Sequence, residues 1–157
     1  MHRHIVLLVI MITLGISNLS AQTPYPENAY QKVHEFDFWL GEWDVYDFET
    51  ESLIAHSRVV PIVDSIGIQE YYFGANGDTY SSTSISKFNF SQDQWEQYYI
   101  NNQGLTYRFL GNLDGEKMLI GNRKAFKNRP SYNKISWEPR DDGSIRQIWI
   151  QRWEDEE

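Results

Sequence analysis

Paired turn residues recur along the chain at a spacing that leaves room for one β-strand between neighbouring pairs. They lie at Asn76-Gly77, Gln92-Asp93, Asn102-Gln103-Gly104, Asp114-Gly115 and Asp142-Gly143. Asn-Gly and Asp-Gly pairs are the strongest local hairpin signals because both residues tolerate positive φ. From Gly77 to Gly115 the turns recur roughly every 11 to 16 residues, which is typical of consecutive strands. The pattern predicts an antiparallel meander.

Nine strands follow from this spacing and from the apolar and polar alternation between the turns. They are predicted at residues 39–50, 54–64, 66–73, 80–89, 94–101, 105–113, 116–126, 132–138 and 144–153. Pro61 falls inside the second strand, which indicates an edge position or a bulge. A long meander curls and closes because an open sheet leaves two unpaired edges. We therefore predict an all-β fold, an antiparallel up-and-down barrel of about nine strands, with a two-sheet sandwich as the alternative.

The start of the chain has the layout of an export signal. A short basic segment at residues 1–4 precedes an apolar run at residues 5–16, and small residues then lead to Ala21. The run is shorter than the roughly 20 residues that a membrane-spanning helix needs; a retained anchor is the alternative. We expect a signal peptide at residues 1–21, an N-terminal extension with a short helical turn at residues 22–35, and a barrel domain at residues 36–157. The predicted location is periplasmic or extracellular.

Composition excludes several classes of function. The net charge is −8 and the pI is about 5.0, so no nucleic-acid partner is expected, because phosphate contacts need clustered Lys and Arg. Stable membrane insertion after signal cleavage is not expected either. The absence of cysteine excludes disulfides and thiol chemistry. After the predicted signal peptide the only histidines are His34 and His56, and we predict no metal site and no cofactor, haem included.

The stretch FDFWLGEWDVYDFE at residues 36–49 is rich in aromatic rings and is divided by a glycine. One end of a barrel must be covered, and rings before and on the first strand can cover it. A glycine between them lets the chain bend sharply or lets a ring lie across the backbone. We predict a structural plug, with Arg146 as a cation near the Trp43 ring. Its members are Phe36, Phe38, Trp39, Gly41, Trp43 and Arg146.

Three ordered blocks of the sequence resemble one group of proteins. They are FDFWLGEWDV at residues 36–45, WEQYY at residues 95–99 and DGSIRQIW at residues 142–149. The blocks are similar to those of exported bacterial proteins of unknown function that have lipocalin-like, or calycin-like, barrels. The resemblance implies the barrel and the export, and it carries no assigned activity. These proteins continue into one more strand, so the barrel here either closes with nine strands or lacks a final strand. An open edge would favour self-association.

Period-two alternation predicts which side chains point into the barrel. It places polar groups among rings on three strands, and we predict an interior site formed by Glu70, Gln97, Tyr99, Gln147, Trp95 and Trp149. The leading hypothesis is the binding of a small apolar or amphipathic molecule, for which a barrel of this size has room. One alternative is an isomerase or hydrolase that uses interior Glu and Tyr groups. The other is a structural or stress protein whose barrel is filled by its own side chains.

Overall fold

The computed structural model of the protein describes residues 28–126 and 129–153; the predicted signal peptide lies outside this part of the chain. A short helix, α1 (Ala29–Val33), and a 3₁₀ turn (Asp37–Trp39) precede the sheet. The strands are β1 (Gly41–Tyr46), β2 (Leu53–Ile62), β3 (Gly67–Gly74), β4 (Ser81–Asn89), β5 (Gln94–Asn101), β6 (Thr106–Asp114), β7 (Lys117–Phe126), β8 (Arg129–Pro139) and β9 (Ile145–Trp153).

All nine strands form one sheet in sequence order, and each strand is antiparallel to its neighbours. The predicted all-β, up-and-down meander is confirmed, and the two-sheet sandwich is not what forms. The Asn76-Gly77 turn shows why the turn signals were informative. Both residues have positive φ, 54° for Asn76 and 86° for Gly77, and these two residue types tolerate that region best.

Two local features of the strands have clear chemical causes. β1 ends at Tyr46, four residues before its predicted end, because the Asp47 carboxylate accepts hydrogen bonds from the Thr50 backbone N–H and hydroxyl, both at 2.8 Å. Pro61 lies inside β2 and opposite Ile68 of β3. The pairing with β1 stops at Val59, so Pro61 lies at an edge on that side, where its missing N–H costs no ladder bond.

β1 and β9 are the two edges of the sheet, and no pairing joins them within the described residues. The sheet is therefore a curled half-barrel. Of the two alternatives from the sequence, closure with nine strands and an open edge, the described residues show the open edge. We call the gap between β1 and β9 the seam. Rings occupy it in place of backbone hydrogen bonds: Trp39, just before β1, has its ring centre 4.9 Å from that of Trp137 on β8, and Trp43 of β1 lies beside them.

The core lies on the concave side of the sheet and is rich in rings. Its members come from β2 to β8 and from the N-terminal segment: Val33, Phe36, Trp39, Val59, Ile68, Phe88, Trp95, Tyr99, Phe109, Met118, Ile120, Ile135 and Trp137. Since each ring removes a large apolar area from water, this cluster stabilises the domain without disulfides. Within the described residues, we find no helix with the length and apolar character needed to cross a membrane.

Candidate functional site

One end of the half-barrel is filled by a cluster of four rings, which we call the packed end: Phe36, Trp39, Trp95 and Trp137. Phe36 is at its centre, with ring centres 5.0 Å from Trp39, 5.7 Å from Trp95 and 5.1 Å from Trp137. All four side chains are buried. The Trp95 indole N–H donates to the Glu35 carboxylate at 3.1 Å, so the segment before the sheet is attached to β5 by a polar contact as well as by rings.

The remaining predicted plug residues lie where the chain enters β1. Gly41 has a φ of +141°, a region that side chains rarely adopt, which explains the glycine in the aromatic stretch. The Trp43 indole N–H donates to the Trp39 carbonyl at 2.9 Å, and Trp43 is half-buried, as is Phe38.

Arg146 does not stack on Trp43, and that prediction is wrong. Its guanidinium lies 4.7 Å from the centre of the Phe48 ring. The register of β9 explains this, because Arg146 pairs with Glu138 and its neighbour Gln147 pairs with the inward-facing Trp137. Arg146 is therefore on the outer face of the sheet, whereas Trp43 faces inward.

A cavity of about 290 Å³ lies at the seam, and we call it the seam cavity. Trp39, Trp43 and Trp137 form its aromatic wall, and Ser57 and Glu70 are the buried polar groups that line it. A wider cleft of about 690 Å³ adjoins it on the solvent side. The two spaces share the lining residues Tyr46, Ser144, Ile145 and Gln147, so the cleft gives a small molecule access to the cavity.

Glu70 is the buried carboxyl group of this cavity and is 8 % exposed, whereas Asp44, which also lines the cavity, is exposed. Ser57 of β2 donates to one carboxylate oxygen at 2.9 Å, and Ser84 of β4 donates to the other at 3.1 Å. Burial raises the pKa of Glu70, although the two serine hydrogen bonds oppose the shift. Burial is the main cause that raises the pKa of the Tyr72 phenol, and the nearby Glu70 charge raises it further.

Three other predicted site residues are buried as period-two alternation predicts, but they lie away from the seam cavity. Gln97, 3 % exposed, donates to the Ser86 hydroxyl at 3.1 Å. Tyr99 shares a short hydrogen bond with Tyr80, and burial, together with that bond, raises its pKa. Trp95 belongs to the packed end. None of the three lines the cavity that contains Glu70.

The two predicted site residues on β9 are more exposed than the sequence indicated, because no strand covers that edge. Trp149 is 41 % exposed. It still faces the concave side, where its ring centre lies 5.6 Å from that of Tyr99 and its indole N–H donates to Asn133 at 3.1 Å. Gln147 is exposed and lines the seam cavity beside Trp137. The six predicted residues therefore do not form one site: only Glu70 and Gln147 meet at the cavity.

Sequence reasoning missed four residues that matter at these two places. The serines Ser57 and Ser84 hold Glu70, and extending the period-two pattern to β2 and β4 would have placed both on the inner face. Glu35 lies 60 residues from its partner Trp95, and no local signal joins them. Trp137 was assigned to a strand without a role; its buried indole N–H has no hydrogen-bond partner in the described part of the chain.

The described residues contain no group of three or more His, Cys, Asp or Glu side chains placed to hold a metal ion. No family model matches the chain, and no curated protein or solved structure matches it either. The class that the fold defines is a nine-stranded antiparallel half-barrel with an aromatic interior. The likeness to exported lipocalin-like proteins stays a prediction from the three sequence blocks.

Proposed function

We propose that the protein binds a small, partly apolar molecule in the seam cavity. The observation that carries the proposal is the combination of three tryptophans and one buried carboxylate around a single space of about 290 Å³. Ligand sites are typically apolar clefts with a few well-placed polar groups, and this volume lies at the small end of their range. The unpartnered Trp137 N–H supports the same reading, because buried donors normally have an acceptor.

The alternative hypothesis of a structural protein whose barrel is filled by its own side chains fits the packed end but not the seam. Phe88, Phe109, Met118 and Ile135 fill the interior next to the four rings of the packed end. At the seam, by contrast, the side chains leave a space beside Glu70. The proposed function therefore requires only that a ligand occupies the seam cavity, while the rest of the interior is filled by packed side chains.

Occlusion of the cavity tests the proposal. Gln147→Trp adds a large ring at the exposed side of the cavity, and Gln151→Trp makes the same change on the same face of β9, four residues away and outside the cavity lining. Native mass spectrometry of the protein from its own host should show a retained small molecule on the wild type and on Gln151→Trp, and none on Gln147→Trp. Retention by all three proteins, or by none, would contradict the proposal.

A second candidate function is proton-transfer catalysis by Glu70, favoured by the raised pKa of this carboxyl group. Catalytic acids and bases are often tuned by burial in this way. A panel of enolisable ketones, lactones and esters would test it. Turnover that is lost in Glu70→Gln and that follows a single ionisation in its pH dependence would support catalysis. If the compounds bind but are not converted, the protein has a binding function without catalysis.

We also propose that the protein is exported and belongs to the lipocalin-like group that its sequence blocks resemble. The basic start, the short apolar run and the small residues up to Ala21 support export. Intact mass measurement of the protein from the extracytoplasmic fraction should give a chain that begins at residue 22. A full-length chain in the cytoplasmic fraction would contradict this.

A further inference from the structure

We propose that the ligand of the seam cavity is a small organic cation, an amine or quaternary ammonium compound whose charge is bound by Glu70 and whose carbon groups contact the tryptophans. This inference rests on the proposed binding function and specifies the chemical class of the ligand. Three observations carry it: the hydrogen bonding of Glu70, the lack of a positive partner for it, and the rings around it.

The hydrogen bonds at Glu70 suit the ionised carboxylate. Ser57 and Ser84 each donate to a different oxygen, and hydrogen bonds of this kind favour the ionised carboxylate. Two neutral hydroxyls do not neutralise the charge, so the ionised group has hydrogen bonds but no counter-charge. It is unfavourable unless it takes up a proton or a cation joins it.

No ion pair involves Glu70 among the described residues, and the basic side chains of the adjoining strands are directed elsewhere. Arg58 of β2 lies over the Tyr71 ring on the outer face, with its guanidinium 5.1 Å from the ring centre. Lys87 of β4 pairs with Glu96 at 3.5 Å, also on the outer face. The positive charge that would balance Glu70 is therefore not supplied by its neighbouring strands.

The other ionisable groups that line the cavity are Asp44 and Tyr46, and neither carries a positive charge. The phenol of Tyr72 is on the same strand, and Tyr80 and Asp78 interact with that phenol. Asp44 borders the cavity, with its carboxylate 2.7 Å from the His56 ring nitrogen. The inward side chains of β1, β2, β4 and β9 at the cavity carry no positive charge, and Arg140 and Arg146 line the outer cleft but not the cavity. Within the cavity the local field therefore favours a cation.

Aromatic rings complete the site. Trp39, Trp43 and Trp137 line the same cavity as Glu70, and tryptophan faces attract alkylammonium groups more strongly than other rings do. A single carboxylate is too few ligands for a metal ion, whereas a carboxylate with several rings is the usual composition of an organic-cation site. The cavity volume limits the ligand to a compact molecule.

A charge-isostere pair tests the inference directly. Calorimetry should show that choline and benzyltrimethylammonium bind. The neutral carbon isostere of choline, 3,3-dimethylbutan-1-ol, should have an affinity at least about tenfold lower, because it lacks the charge-assisted contact with Glu70 and the rings. Glu70→Gln should remove the preference for choline over the isostere. Glu42→Gln removes the same charge from the outer face of β1 and should leave the preference unchanged.

A pH series separates Glu70 from the other nearby groups. Choline carries a permanent charge, so its affinity should fall as pH is lowered through the raised pKa of Glu70. The pH dependence should disappear in Glu70→Gln and persist in His56→Asn. Circular dichroism and melting curves of each variant show that the fold is retained.

The outcomes separate this inference from the function it rests on. Equal binding of choline and its isostere, insensitivity to Glu70→Gln, or the recovery of a neutral or anionic molecule from the native protein would overturn the cation assignment and leave small-molecule binding in place. Absence of any retained molecule, together with no binding of either cation or of the isostere, would overturn both.

Discussion

The packed end and the seam use the same residue types in opposite ways. At the packed end, Phe36 contacts three buried rings and is itself 1 % exposed. At the seam, Trp43 is half-buried and borders a cavity. Trp39 and Trp137 contribute to both regions. The difference indicates two roles for the aromatic residues. Rings that pack against other rings stabilise the fold, and rings that border the cavity form the surface on which we propose that a ligand binds.

Two buried carboxylates, one on the outer face of the sheet and one at the seam, also differ in their partners. Glu96, on the outer face of β5, is 3 % exposed and is paired with Arg108 at 2.7 Å and Lys87 at 3.5 Å. Glu70 at the seam is buried to a similar degree but has only serine partners. A carboxylate with counter-charges contributes to stability, whereas one without them reduces stability until a partner binds.

The largest expected effect is the loss of unfolding free energy on removing one ring from the packed end or from the seam. Phe36→Ala should lower the free energy of unfolding by about 3–5 kcal/mol, because it opens a cavity among rings that cannot collapse. Trp43→Ala should lower it by about 2 kcal/mol, because this ring is partly in contact with solvent already. Urea unfolding measures both. Equal losses would mean that the packed end and the seam are one continuous core.

The next effect concerns Glu96. Burial opposes its ionisation, but hydrogen bonds from Asn89 and Arg108 and the charges of Lys87 and Arg108 lower its pKa to about 2. Its contribution is therefore complete above the pKa of about 4.5 of the unfolded chain and is lost as pH falls through the folded value. Glu96→Gln should cost about 1–2 kcal/mol at neutral pH, because the half-exposed cations are screened by water. The difference between variant and wild type should vanish near pH 2.

Glu70 should behave with the opposite sign. Its folded pKa is raised, so the folded state binds the proton more tightly, and stability declines as pH rises from the unfolded pKa through the folded one. Glu70→Gln should therefore raise the melting temperature at neutral pH and change it little near pH 4. A variant that is less stable than the wild type at neutral pH would show that the serine hydrogen bonds outweigh the burial of the charge.

The smallest effect expected is association through the open edge. β9 presents unpaired backbone groups, and such edges tend to pair with another copy. Sedimentation velocity should show weak, concentration-dependent association of the wild type, reduced in Ile150→Lys, which adds charge to the outer face of β9. A monomer at all concentrations would show that the seam rings protect the edge.

Local signals were sufficient for most of the fold. Turn pairs such as Asn76-Gly77 positioned the hairpins, and period two gave the buried faces of Glu70 and Gln97, because both effects act within a few residues. The sequence left the open seam as one of two alternatives, since local signals do not determine whether the first and last strands meet. Arg146 was misplaced because the stacking prediction ignored period two, which puts Arg146 on the face opposite to Gln147 and Trp149. The serine partners of Glu70 depend on register between strands, which one strand alone does not fix.

The connection of Glu35 and Phe36 to distant strands determines the order in which the molecule can assemble. Every strand pairs with its neighbour in sequence, so the meander can grow one hairpin at a time with only short loops to close. Phe36, by contrast, has its partners on β5 and β8, and these are synthesised long after it. The aromatic stretch therefore cannot complete its native contacts until β8 has been made. Any delay in synthesis before β8 prolongs the interval in which the chain is most prone to aggregate.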